Sequence, residues 1–178
     1  MDTIQIKDKR FTPFISAEKI EKEVARVANE INRDLEGTNP LFLSVLNGSF
    51  IFTADLMRHL TLPSEVSFVK LASYAGTSST GKVKELVGLG DNIEGRTVVI
   101  VEDIVDTGVT MKHLLETLQA KHPKEIRICT LLLKPDKLKV DLHIDYVAMR
   151  IPNDFIVGYG LDYDGLGRNY RDIYTVVE

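Results

Sequence analysis

Thr97-Val98-Val99-Ile100-Val101 is apolar and β-branched throughout. Such a run suits a central strand covered on both faces rather than one with a side in water. Glu102-Asp103 follows directly, and then Asp106-Thr107-Gly108-Val109-Thr110 leads into a helix expected from about Gly108 to Ala120. Ile126 to Leu133 reads as another buried strand. Strand, helix, strand in this order requires a parallel sheet joined by right-handed crossovers. The expected fold class is α/β.

The rest of the chain agrees. Ile20, Val24, Val27, Ile31 and Leu35 recur at three- and four-residue spacing, as on an amphipathic helix. Ser16 can cap its start, Glu18 suits its first turn, and Gly37 lies just past its end. Leu41 to Leu46 reads as a short buried strand, followed by Asn47-Gly48-Ser49 and a helical stretch to about His59. Val66 to Ala72 is a further strand, and Val83 to Val87 the strand returning from a small, polar loop over residues 73–81. The last forty or so residues read as irregular, rich in glycine and aromatics. The expected organisation is one domain over 1–178, with a small hood lobe from about 135–178 plus the N-terminal segment.

With 178 residues the chain can bury a core without staples. Its one cysteine, Cys129, rules out an intrachain disulfide and suits a reducing compartment. Twenty-two basic against 26 acidic residues, a net charge of -4, argue against broad nucleic-acid or anionic-membrane binding. No apolar run approaches the roughly 18 residues of a spanning helix, and the first residues lack signal-peptide character. A soluble cytoplasmic protein is expected.

In open α/β sheets ligands bind outside the carboxyl ends of the strands, where Glu102 to Thr110 falls. Backbone amides of Thr107 to Thr110, at a helix N-terminus, can receive a phosphate, and Gly108 permits close approach. Glu102 and Asp103 are acceptors suited to a vicinal diol. A phosphate receptor beside a diol receptor describes a ribose 5-phosphate. The plainer alternative is that the carboxylates solvate a strand end and Thr107-Gly108 is a turn; the ordered pattern as a whole weighs against it.

This segment resembles the phosphoribosyl pyrophosphate signature of the type I phosphoribosyltransferases. Leu46-Asn47-Gly48-Ser49, Ser73-Tyr74, Leu133-Lys134, the run from Asp154 to Tyr163, and Arg168 resemble the 6-oxopurine branch, the hypoxanthine-guanine phosphoribosyltransferases. The resemblance runs in family order from about Pro13 to Ile173. It implies an open, mainly parallel sheet flanked by helices with a hood lobe. It also implies purine salvage: transfer of the 5-phosphoribosyl group from phosphoribosyl pyrophosphate to N9 of hypoxanthine or guanine, giving IMP or GMP, with Mg²⁺ as cofactor.

By resemblance, Glu102 and Asp103 hold the ribose hydroxyls and the Mg²⁺ shell, while Thr107, Gly108, Val109 and Thr110 receive the 5′-phosphate. Asp106 falls beside N7 of the base as general acid/base; its alternative is a loop-folding Asx bond. Lys134 donates to O6 of the base; its alternative is a solvated strand end. Phe155 stacks on the purine, though an aromatic there also suits a core. Ile156 and Asp162 contribute backbone groups along the base edge, the Asp162 side chain lies near a second Mg²⁺, and Arg168 reaches the pyrophosphate. Ser73 and Tyr74 open a loop that closes over the reacting centre. The family commonly reads Leu-Lys-Gly where this chain has Leu46-Asn47-Gly48. Asn47 can still offer its backbone amide, in some members through a non-proline cis peptide, but a charge and any cross-subunit ion pair are lost. The resemblance also implies a homodimer or homotetramer.

Other signals are weaker. Gly88-Leu89-Gly90 and Gly158-Tyr159-Gly160 do not continue as dinucleotide fingerprints, and no P-loop pattern occurs. The four histidines lack zinc-ligand spacing, and Cys129 reads as core. Apart from Lys134, the stretch Lys134-Pro135-Asp136-Lys137-Leu138-Lys139 reads as a solvated face. A competing function is a regulator that senses phosphoribosyl pyrophosphate while binding nucleic acid. It calls for a basic face or an added module, neither of which this acidic chain shows. Use of xanthine as a further base stays open.

Overall fold

The computed structural model describes residues 2–72 and 85–177. In chain order, β1 (Ile4–Ile6) and β2 (Lys9–Ile15) precede α1 (Ala17–Asp34), β3 (Leu41–Leu46), α2 (Phe50–His59) and β4 (Glu65–Ala72). Then come β5 (Glu85–Val87), β6 (Thr97–Val105), α3 (Val109–Gln119), β7 (Glu125–Leu133), β8 (Tyr146–Arg150), β9 (Ile156–Val157) and β10 (Ile173–Val177). Ser73 and Tyr74, and the start of the expected returning strand at Val83, lie outside the described residues.

Six strands form the main sheet in the order β5-β4-β3-β6-β7-β8. β4, β3, β6, β7 and β8 run parallel, and β5 closes the edge antiparallel to β4. Alternation along each strand sorts the core. Phe42, Val99, Val101, Cys129 and Leu131 pack with α1 and α2, while Leu41, Leu43, Val98, Ile100 and Ile128 pack with Met111, Leu114 and Leu118 of α3. The expected helix spacing is what buries Ile20, Val24, Val27, Ile31 and Leu35, each no more than 1% exposed. Ser16 caps α1 by accepting from the Lys19 amide at 3.2 Å.

A second, antiparallel sheet, β1-β2-β10-β9, joins the N-terminal segment to the chain's end. It closes over Ile6, Phe11, Val157 and Tyr174. The hood boundary expected near residue 135 therefore moves: Tyr146–Arg150 pairs with β7 and is the sixth strand of the main sheet. Its buried run Tyr146-Val147-Ala148-Met149 is too short for periodicity to separate it from an irregular segment. No helix among the described residues is long and apolar enough to cross a membrane.

From β3 the chain moves one way, to β4, and β6 lies on β3's other side. That is a topological switch point, and the carboxyl ends of β3 and β6 open the crevice there.

Candidate active site

The turn after β3 is fixed from beneath. Ser44, in the middle of an apolar strand, bonds through its hydroxyl to those of Ser49 and Thr53, both at 2.7 Å, and Ser49 donates to the Val45 carbonyl at 2.5 Å. All three hydroxyls are buried, so their bonds to one another are what make the site tolerable. The network escaped the sequence reading, although a lone serine amid Leu41-Phe42-Leu43 was a visible signal. The Leu46–Asn47 peptide is cis, the geometry expected of some members of the family. Asn47 is exposed and Gly48 buried.

β6 runs four residues further than the apolar run, to Val105, because it keeps pairing with Leu132 and Leu133 of β7. Glu102 and Asp103 thus lie within a strand rather than beyond its end. The Asp103 amide donates to Glu102 Oε1 at 3.1 Å, and the Ile104 amide donates to Asp103 Oδ1 at 2.7 Å. A pocket of about 180 Å³ opens here, lined by Glu102, Asp106, Thr107, Gly108 and Thr110 among others. Val109 begins α3 at its rim and is exposed. Gly108 precedes α3 with φ of 82°, a left-handed conformation, and no side chain caps the helix. The first-turn amides have no intrahelical acceptor, the Val109 amide donating to Thr107 Oγ1 at 3.4 Å, and such a helix start suits an anion.

Pro135, Asp136 and Lys139 are exposed, as expected of a solvated face, but Leu138, Val140 and Leu142 pack against Gly108. A Cβ on Gly108 would meet Leu138 Cδ1 at 2.8 Å and Val140 Cγ2 at 2.9 Å, and the Lys139 amide donates to the Thr107 carbonyl at 2.9 Å. A short 3₁₀ turn, Pro135–Lys137, brings Lys137 Nζ to 3.3 Å from Asp106 Oδ1. Lys134 Nζ approaches the same carboxylate, 4.0 Å from Asp106 Oδ2. Lys134 is buried, not a solvated strand end. Burial holds its ammonium below the ordinary lysine value; Asp106 opposes that shift, Lys137 reinforces it, and Asp154 opposes it. Asp154 is the residue before Phe155, so the hood is felt electrostatically at Lys134.

Phe155 is 45% exposed, which removes the core alternative. Its neighbour Ile156 is buried and pairs with Thr175 in β10. Farther on, Arg168 donates to the Gly160 carbonyl at 2.7 Å and lies 3.3 Å from Asp162 Oδ1, while the Gly165 amide donates to Asp162 Oδ2 at 2.8 Å. A Cβ on Gly160 would come within 2.4 Å of the Gly48 carbonyl oxygen. Most of the expected residues gather in two connected sets, with Phe155 and Ile156 apart on the hood. Glu102, Asp106, Thr107, Gly108 and Thr110 line one pocket, with Lys134 beside Asp106; Gly48, Asp103, Asp162 and Arg168 are linked through Gly160.

Among the described residues no group of three or more His, Cys, Asp or Glu forms a metal cage. Glu102 and Asp103, and separately Asp162, offer hard carboxylate oxygens one or two at a time. That donor set fits Mg²⁺, which keeps waters and is held through one or two carboxylates plus substrate phosphates. A larger cavity, about 490 Å³, opens between α1, α2 and residues 159–171, where the Tyr159 hydroxyl donates to Asp55 at 2.5 Å. It contains none of the expected site residues.

Residues 15–164 match the model of the phosphoribosyl transferase domain. The chain belongs to this family of transferase enzymes, in the hypoxanthine-guanine phosphoribosyltransferase branch. It is 45% identical over 167 residues to the hypoxanthine-guanine phosphoribosyltransferase of Mycobacterium avium, covering 90% of this chain and 81% of that one. A relative of the same name from Streptococcus mutans is 42% identical over 159 residues, covering 89% and 87%. The crystal structure of a hypoxanthine-guanine phosphoribosyltransferase from Bacillus anthracis superimposes with a TM-score of 0.86 at 42% identity, covering 94% of this chain and 97% of that one.

Proposed function

We propose that the protein transfers the 5-phosphoribosyl group from phosphoribosyl pyrophosphate to N9 of hypoxanthine or guanine, forming IMP or GMP and releasing pyrophosphate. The observation that carries this reading is the buried Lys134, its Nζ 4.0 Å from Asp106 Oδ2, where Asp106 lines one pocket with Glu102 and the start of α3. The amides of Thr107 to Thr110 take the 5′-phosphate, and Glu102 and Asp103 accept from the ribose hydroxyls. Lys134 donates to O6. A 6-amino base would turn donors toward the ammonium and leave both unpaired, so adenine is rejected.

As N9 bonds to C1′, the C1′–oxygen bond to pyrophosphate breaks and its electron pair leaves with the pyrophosphate. Asp106 accepts the proton from N7, and Arg168 donates to the leaving group. Glu102 and Asp103 would hold one Mg²⁺ and Asp162 a second, largely through waters. Bound there, Mg²⁺ offsets the negative charge that gathers on the pyrophosphate. The ring gains positive character as the bond breaks, and the carboxylates beneath it favour that charge. By analogy with its family the protein acts as a homodimer or homotetramer, without nucleic acid or membrane.

The test supplies Mg²⁺ and phosphoribosyl pyrophosphate with hypoxanthine, guanine, xanthine or adenine separately and follows nucleotides by chromatography. IMP and GMP without AMP support 6-oxopurine transfer, and the xanthine lane sets its breadth. AMP at a rate comparable to IMP contradicts the role given to Lys134.

A further inference from the structure

Phe155 has a fixed backbone and an open ring. Its carbonyl accepts from the Val176 amide at 2.9 Å, yet nearly half of the residue faces solvent. A side chain so placed keeps rotamer freedom unless neighbours remove it. Two aromatic rings do. Fully buried Phe11 of β2 lies 6.1 Å away, centroid to centroid, tilted by 39°. Tyr163 meets Phe155 edge-on at 5.7 Å and 88°, the arrangement that aromatic quadrupoles favour.

Tyr163 is itself only partly buried, and what holds it comes from the opposite end of the chain. Its hydroxyl donates to Asp8 Oδ1 at 2.6 Å, and Lys9 Nζ lies 5.7 Å from its ring centroid. The hydrogen bond draws the Asp8 carboxyl below its ordinary value and raises the Tyr163 hydroxyl. Beside it, Lys7 pairs with Asp164. Asp164 and Gly165 both have positive φ, and the Tyr163 and Leu166 backbones bond to each other across them, so Tyr163 sits on a tight hairpin. The turn between β1 and β2 thus clips a second turn, and that turn carries the ring that sets Phe155.

We infer that the N-terminal hairpin completes the purine site: Asp8, through Tyr163, fixes the tilt of the Phe155 ring on which the base stacks. Asp8 and Tyr163 are positioning residues. The inference rests on Phe155 being the stacking surface, as proposed above. It requires that losing the clip weakens ligands that carry a base and spares those that do not.

The experiment measures Kd for GMP and for phosphoribosyl pyrophosphate by calorimetry, with Mg²⁺ present, alongside thermal unfolding. Asp8→Ala and Tyr163→Leu are expected to raise the Kd for GMP about 3- to 10-fold, the span of one aromatic contact. The Kd for phosphoribosyl pyrophosphate stays within about twofold for the same reason. Asp8→Asn, whose side-chain oxygen still accepts from the tyrosine, restores GMP affinity. Phe155→Leu separates the two layers. If it leaves GMP binding unchanged, the stacking reading fails and the clip with it. If it weakens GMP while Asp8→Ala does not, only the clip is overturned. Parallel loss of both ligands with a lower Tm in Asp8→Ala means a merely structural role and also overturns it.

Discussion

Gly48 lies so close to Asp103 that a Cβ on it would fall 1.8 Å from Asp103 Oδ2. The turn after β3 and the acidic pair in β6 are therefore one packed unit across the switch point. The atoms in the way, Oδ2 and Cγ, belong to a side chain rather than to backbone, and Gly48 is not among the residues with positive φ. Gly48→Ala is consequently expected to fold normally, with stability changed by less than about 1 kcal/mol. The displaced carboxylate is what suffers. Calorimetry should show phosphoribosyl pyrophosphate binding weakened about tenfold or more, as for the loss of a hydrogen bond to a charged group.

Gly160 makes the contrasting case. A side chain there would press on the Gly48 carbonyl oxygen at 2.4 Å, and φ is 99°. Backbone meets backbone, so no side chain can swing aside. Gly160→Ala is expected to lose about 1–3 kcal/mol of stability, or about 2–10 °C in Tm for a domain of this size. Thermal unfolding of the two alanine variants side by side checks the distinction.

Lys134 yields a pH prediction. Burial lowers its folded-state pKa below the ordinary lysine value, so between the two values the unfolded chain binds more protons. Stability from this group therefore rises as pH climbs through that alkaline window, and the cost of burying the charge is in force below it. Lys134→Met should raise the Tm of the ligand-free protein near neutral pH and flatten the alkaline rise, since Asp106 keeps Lys137 at 3.3 Å. The same change should raise the KM for hypoxanthine roughly 10- to 100-fold, the worth of a charge-assisted bond. Unfolding curves from pH 7 to 10 and initial rates at varied base read the two effects.

The main sheet, apart from β8, was legible because its signals are local. The β-branched run of β6 and the three- and four-residue spacing of α1, from Ile20 to Leu35, each settle an element from within the element itself. The site was legible where chemistry and position coincide, from Glu102 to Thr110. Lys137 was not. Lys, Pro and Asp over residues 134–139 have the composition of a surface, and Pro135, Asp136 and Lys139 are exposed; the packing of Leu138 and Val140 on Gly108, far off in sequence, holds the segment beside Asp106. Tyr163 was read as part of a motif, but its partner Asp8 is 155 residues distant, and no spacing rule reaches that far.

The most direct measurement compares the wild-type protein with Asp106→Asn, reading pyrophosphate release on mixing with Mg²⁺, phosphoribosyl pyrophosphate and hypoxanthine. Binding of phosphoribosyl pyrophosphate is measured in parallel. The account predicts that the wild type releases one pyrophosphate per IMP. Asp106→Asn should still bind phosphoribosyl pyrophosphate and turn over about 10²- to 10⁴-fold more slowly, the usual contribution of a positioned acid or base. A wild-type protein that binds phosphoribosyl pyrophosphate yet releases no pyrophosphate with hypoxanthine or guanine would contradict transfer and point to a sensor.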